Sequence, residues 1–266
     1  MKSLLRLSLF LLLSIVFFND CKIHNRNDIY SHSDNIRKNQ NYSLFNDKTT
    51  QRKFYNALMR YEFQMDLIKN ILDSNIDPNY CYGECGWIES NPLLLLSQLH
   101  FDTYYRTQRN ESIPDPTPDI ELFNLLIDKG ANIDLYPYVY AIVYRKKIDF
   151  QMNEDEKNTY VEDSNRILKA FLDKGADPNA KGNHKAFDWQ TYDDNLSYEG
   201  FQKMCKEPDA TSPLYEAIKK GMLWESQVNL LLEYGAILDE SCLEAAKLSG
   251  DKEMIDKITS LINNGE

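Results

Sequence analysis

Basic residues are outnumbered in this chain: 30 Lys and Arg stand against 41 Asp and Glu, a formal net charge of −11. A surface of that sign repels phosphate backbones instead of releasing their counterions, which argues against nucleic acid as a partner. Histidine is scarcer, with four copies. Two of them, His24 and His32, fall in a polar N-terminal stretch, leaving His100 and His184 for the rest of the chain. The patterns His-Glu-x-x-His, Gly-x-Ser-x-Gly, Gly-x-x-x-x-Gly-Lys and Cys-x-x-Cys are all missing, so the sequence offers no catalytic constellation, no metal-ligand set and no cofactor loop. The densest acidic run, Glu154-Asp155-Glu156, lacks the alternating Asp/Asn ligands and the Gly of a calcium loop and reads as a solvated face. Collagen-like, coiled-coil and low-complexity compositions are excluded too, since 42% of the residues are hydrophobic and 12% aromatic, enough to bury a core.

Long apolar runs are also missing. The longest is Leu7 to Phe18, 12 residues interrupted by Ser8 and Ser14. A membrane-spanning helix needs about 20. Preceded by Lys2 and Arg6, the run has the proportions of a signal-peptide core, so residues 1–20 are expected to be a cleaved leader. Cys21 follows directly, and this placement resembles the lipobox of bacterial lipoproteins, although Phe18, Asn19 and Asp20 stand where that family has small residues. The resemblance implies lipidation of Cys21 and an exported protein lipid-anchored to the cell envelope, periplasmic or surface-exposed; a secreted protein and an uncleaved anchor are the alternatives. Residues 21–50 are rich in Asn, Asp, Ser and Lys without apolar period, as in a disordered tether. In an oxidising compartment cysteines can pair. Cys81 and Cys85 bracket Tyr82-Gly83-Glu84 at a spacing that could close a small disulfide, with free thiols as the alternative, while Cys205 has no assignable partner and Cys242 reads as a small apolar residue.

Comparing the remainder with itself exposes a recurring phrase: an apolar helical run, a stop at Gly or Asn, a small or apolar residue, then a polar turn. It occurs at Leu67–Asn79, Leu122–Asp134, Leu168–Ala180 and Val228–Asp239. Gly130, Gly175 and Gly235 occupy the stop, where the chain must turn left-handed and Gly does so without a Cβ penalty; Asn75 stands there in the first copy. Asp77-Pro78-Asn79 and Asp177-Pro178-Asn179 read as Asx turns. The stripes Leu122-Leu125-Leu126, Leu168-Phe171-Leu172 and Val228-Leu231-Leu232 keep helical spacing and are predicted core.

A second, shorter helix is expected upstream of each. Its clearest opening is Ser212-Pro213-Leu214-Tyr215-Glu216-Ala217, in which Ser212 can cap the first-turn amides and Pro213 sits where its missing N–H costs nothing. Weaker openings are Phe54-Tyr55 with Ala57, Asn91-Pro92-Leu93, Tyr136-Pro137-Tyr138 with Ala141, and Ser241–Ala246. These hexads resemble the T-P-L-H-x-A signature of ankyrin repeats. The resemblance implies an all-α ankyrin-repeat solenoid of about five helix-pair units across residues 51–266, with residues 51–80 and 241–266 as end caps. The stops lie 55, 45 and 60 residues apart, against a unit of about 33. The excess is placed in long inserted loops at 101–119, 147–163 and 181–210.

The family's fold implies a groove of hairpin tips and first helices that takes a protein partner. The function expected is therefore a membrane-tethered protein–protein interaction module of the bacterial envelope, non-catalytic, with an N-terminal lipid for the membrane. The alternative is an ion-binding or enzymatic envelope protein that uses the acidic insertions, and a purely structural envelope protein is a third reading. Tyr104, Tyr105, Phe187, Trp189, Tyr192, Tyr198 and Phe201 lie in the insertions, outside the repeated packing pattern. Exposed aromatics dominate binding hot spots. Tyr104, Tyr105, Trp189, Tyr192 and Tyr198 are the partner-binding candidates, set against the reading that such loops fold back and cover the core with their aromatics.

Overall fold

The computed structural model describes residues 48–58, 65–74, 76–79, 91–99, 116–145, 152–187 and 198–264, all within one compact unit spanning Asp47–Glu266. The leader, Cys21 and nearly all of the segment assigned as a tether lie outside these residues; its last three residues, 48–50, already belong to a helix. The described chain is all-α: α1 Lys48–Leu58, α2 Met65–Asp73, α3 Pro92–Leu99, α4 Thr117–Asp128, α5 Tyr138–Arg145, α6 Glu154–Asp173, α7 His184–Phe187, α8 Tyr198–Met204, α9 Pro213–Ile218, a 3-10 turn Met222–Trp224, α10 Glu225–Glu233, α11 Glu240–Ser249 and α12 Lys252–Asn264. The one extended pairing among the described residues is an isolated bridge between Gly182 and Thr211.

Successive helices pack in pairs: α1 on α2, α3 on α4, α5 on α6, α9 on α10 and α11 on α12. The pairs also lie side by side. Along one row α3 packs on α5, α5 on α9 and α9 on α11; along the other, α4 packs on α6 and α6 on α10. A short helix with one apolar stripe cannot hide that stripe alone, so each pair is stabilised mainly by its neighbours. Of the predicted core, Leu122, Leu126, Leu168, Phe171, Leu172, Val228 and Leu231 are fully or almost fully buried in one continuous cluster running from Phe54 to Ile258, whereas Leu125 and Leu232 are half-buried against it. Each such buried Leu or Val contributes about 1.5–3 kcal/mol by leaving water. Small residues allow close approach between helices: Ala141, Ala217, Ala245 and Ala246 have no exposed surface.

The helix ends follow local chemistry. Gly130, Gly175 and Gly235 have φ of 93°, 92° and 86°, and the amide of the residue after each donates back into its own helix, Ala131 to the Leu126 carbonyl (2.9 Å), Ala176 to Phe171 (3.1 Å) and Ala236 to Leu231 (2.9 Å). This satisfies carbonyls that the helix end would otherwise orphan. At the start of α9 the Ser212 hydroxyl accepts from the Tyr215 amide (3.1 Å), and Pro213 occupies the first turn. Asn91 does the same for α3, its side-chain oxygen accepting from the Leu94 amide (3.0 Å).

Two loop boundaries differ from expectation. The insertion expected at 147–163 is shorter, because α6 begins at Glu154 and runs 20 residues. Asn153 accepts from the Glu156 amide (2.9 Å) while the Glu156 carboxylate accepts from the Asn153 amide (2.8 Å), a reciprocal capping box. Glu154, Asp155 and Glu156 are exposed, as a solvated face would be, but they also place negative charge at the positive end of a long helix. This added length supports a second small cluster of Met152, Tyr160, Val161 and Trp224. The insertion expected at 101–119 ends by 116, since α4 begins at Thr117.

Candidate functional site: a groove between two hairpin tips

The tip after α2 and the tip after α4 are joined by one side chain. The Asn79 carboxamide donates to the Gly130 carbonyl (3.1 Å) and accepts from the Asn132 amide (2.6 Å). The same pair of bonds recurs further on: Asn179 donates to the Gly235 carbonyl (3.0 Å) and accepts from the Ile237 amide (2.8 Å). In both cases the Asn is itself positioned by an Asx turn, with the Asn79 amide on the Asp77 carboxylate (2.8 Å) and the Asn179 amide on Asp177 (2.8 Å). Among side chains at neutral pH, where carboxyls are ionised, the primary carboxamide of Asn or Gln is the group that carries a donor and an acceptor side by side on one plane.

Between these two joints lies the tip of α4, where the equivalent position is Asp134. Its amide makes the same Asx turn, donating to the Asn132 side chain (2.9 Å). Its carboxylate has no hydrogen to give, and nothing among the described residues bonds the Gly175 carbonyl or the Asp177 amide opposite. Beside this unjoined pair of tips opens a groove of about 330 Å³, lined by both tips, by the start of α5 and by one face of α8. Its floor is apolar, with Tyr136, Tyr138 and Phe201 buried beneath it. Its rim is mixed in charge: Asp134, Asp177, Lys181 and Lys206 are all exposed. Tyr138 is held by its hydroxyl, which donates to the buried Asn91 side chain (3.2 Å).

The wall formed by α8 belongs to the insertion 181–210, whose two ends are pinned together. Gly182 and Thr211 exchange backbone bonds (3.1 and 3.0 Å). Asn183, with no exposed surface, donates to Asp209 (2.8 Å) and accepts from the Lys185 amide (3.0 Å), and Lys185 pairs with Asp209 at 2.6 Å. That ion pair holds the Asp209 carboxyl below the usual carboxylate range. Gly182 lies directly on an aromatic face: a Cβ there would fall 2.0 Å from the Tyr140 ring. From this neck Phe187 and Phe201, 3% and 1% exposed, fold back. Phe187 meets Tyr140 and Phe201 at ring-centroid distances of 5.4 Å, and Phe201 meets Tyr136 at 5.4 Å. These two aromatics therefore cover the core, as the fold-back reading had it.

Of the partner-binding candidates, Tyr104, Tyr105, Trp189 and Tyr192 lie outside the described residues, as do Cys81 and Cys85. Tyr198 opens α8, the helix whose later residues Phe201 and Gln202 line the groove together with Cys205 just past its end. Cys205 is a free thiol pushed up to about 11 by burial, and Cys242 is free, fully buried and likewise raised to about 11 by burial. Both remain protonated at neutral pH and are poor nucleophiles. Burial also raises the Tyr140 hydroxyl, which receives a hydrogen bond from Thr211 (3.5 Å). Among the described residues no three His, Cys, Asp or Glu side chains gather as a metal-ligand set, and no helix is long and apolar enough to cross a membrane.

Asn79 and Asn179 are recognisable from the sequence as turn residues, but the groups they reach are not. The signal was their common place, four residues after the helix stop, against Asp134 and Asp239 in the other two copies. Gly182 and Asn183 were missed altogether. Against models of protein families, curated proteins and solved structures, the chain finds no match.

Proposed function

We propose that the chain is a non-catalytic protein-interaction module of the ankyrin-repeat type, exported and held to the bacterial envelope by a lipid on Cys21. The observation that carries this reading is the groove: a cavity of about 330 Å³ with an apolar floor and a mixed rim, set where two hairpin tips and a first helix meet. Binding residues belong on loops that a packed scaffold holds in place, and hairpin tips on paired helices provide that. The recurrence of the Asn79 and Asn179 joints and of the left-handed glycine stops supports the repeat assignment. Lys2, Arg6, the apolar run from Leu7 to Phe18 and the following Cys21 support export and lipid attachment.

The test is site-specific photo-crosslinking in cells. A benzophenone side chain at Gln202 or Lys206, on the rim, is expected to trap a discrete protein, whereas one at exposed Glu162, on α6 and outside the groove lining, is not. Equal trapping from both places, or none from the rim, contradicts the reading. Calorimetric titration with calcium and zinc covers the rival: a stoichiometric heat would favour an ion-binding protein.

A further inference from the structure

We infer that the groove beside Asp134 recognises a primary carboxamide: an extended protein segment that presents an Asn or Gln side chain to the Gly175 carbonyl and the Asp177 amide, with a neighbouring apolar side chain in the cavity. This rests on the interaction-module reading and names the chemistry of its partner.

The molecule itself supplies the template. At two places a tip presents a glycine carbonyl and, two residues on, an amide N–H, and at both a carboxamide bonds the pair. The tip at Gly175 resembles them. Gly175 shares the left-handed φ of Gly130 and Gly235, 92° against 93° and 86°, and its helix closes with the same backward bond from the following alanine. Its carbonyl and the Asp177 amide are exposed and unbonded among the described residues. The residue that would join them from the preceding tip is Asp134. A carboxylate turned towards Gly175 sets oxygen against oxygen, and it cannot donate. The half-site is thus preformed by the fold and unfilled by any of the described residues.

What lies next to it decides the occupant. A water-filled notch would satisfy two exposed backbone groups, but the groove continues from Asp134 and Asp177 on to the half-buried apolar side chains of Ile133, Leu135 and Pro137. A ligand that bonds both backbone groups and also covers that surface gains from both, and a polypeptide with adjacent amide and apolar side chains has this form. The rim carries Lys181 and Lys206 as well as Asp134 and Asp177, so a strongly charged ligand of either sign meets a like charge.

The test uses the uniformly 15N-labelled full-length chain and four blocked peptides, Ac-Leu-X-Leu-NHMe with X as Asn, Gln, Asp or Ala. The Asn or the Gln peptide is expected to shift the Asp177 amide resonance saturably and to bind about tenfold more tightly than the Asp and Ala peptides, the worth of one to two neutral hydrogen bonds. In Asp134→Asn the tip closes on itself: the melting temperature rises and the peptide response at Asp177 is lost, while the Asn132 and Ile237 amides stay as they were. Equal binding of all four peptides, or an unchanged response in D134N, overturns the proposal. So does a shift of Asp177 that grows with protein concentration alone, which would mean that a second copy fills the groove. If the peptides fail while crosslinking from Gln202 still traps a partner, the carboxamide is wrong and the module reading stands.

Discussion

The tips at Asn79 and Asn179 are tied to the next tip, and the tip at Asp134 is not. Beneath Asp134 and Asn179 the helices are alike: the same glycine stop, at Gly130 and Gly175, the same backward bond, the same buried leucines. The difference comes down to one functional group. An amide nitrogen closes a seam, and the oxygen that replaces it leaves the seam open, with a groove beside it. Specific function in such a stack can therefore arise from a local exception to a structural rule, without any change in the core.

If the difference is confined to the tips, the cores below them are equivalent. Phe171, on the helix that ends at Gly175 beside the open seam, touches Phe123 at 4.2 Å and Tyr138 at 5.8 Å between ring centroids. Phe171→Ala is expected to cost about 3–5 kcal/mol, and Leu231→Ala, under a joined tip, about 2–5 kcal/mol, by chemical denaturation. A negligible cost at Phe171 alone would show that the open seam sits on a slack core. The next largest effect concerns the groove wall. In Gly182→Ala the new methyl meets the buried Tyr140 ring, and overpacking of this kind costs about 1–3 kcal/mol. Near-UV circular dichroism is expected to report loss of the tyrosine environment.

A smaller change converts one kind of tip into the other. Asn179→Asp removes the donor to Gly235 and is expected to cost about 0.5–1.5 kcal/mol. It should also bring the Ile237 amide into fast hydrogen exchange, making it behave as Asp177 does in the native chain. The smallest effect is one of pH. The Asp251 carboxylate accepts from the Met222 amide (2.9 Å) and from Met254 and Glu253, and these bonds hold its pKa below the usual carboxylate range, the bond from Met222 contributing most. A carboxyl lowered in the folded state adds stability that is complete above its unfolded value, about 3.9. That stability is lost as pH falls through the lower, folded value. The melting temperature is expected to fall more steeply below about pH 4 in the native chain than in Asp251→Asn, whose amide oxygen still accepts but does not titrate.

Much of the helical framework could be read from the sequence because its determinants are local. Gly130, Gly175 and Gly235 announce helix ends since few other residues tolerate that backbone, and Ser212 followed by Pro213 announces a start. The capping box at Asn153 and Glu156 was equally local, but the acidic run around it drew the reading towards a loop, so half of a 20-residue helix was missed. What stayed hidden is contact across long separations. The reach of Asn79 spans 51 residues to Gly130 and that of Asn179 spans 56 to Gly235, and neither follows until the register of neighbouring tips is known. The burial of Phe187 and Phe201 likewise depends on the neck at Gly182 and Thr211, which brings two distant stretches together. The groove was legible only in its ingredients: an insertion that leaves a helix stop, and Asp where other tips carry Asn.

Residue-resolved hydrogen exchange of three equivalent amides tests the distinction between the tips most directly. Asn132 and Ile237, each donating to an asparagine oxygen, are expected to be protected, and Asp177 is expected to exchange at close to the free-peptide rate. Equal protection at all three would mean that the central tips are joined after all, and the groove with its proposed ligand would have no place to form.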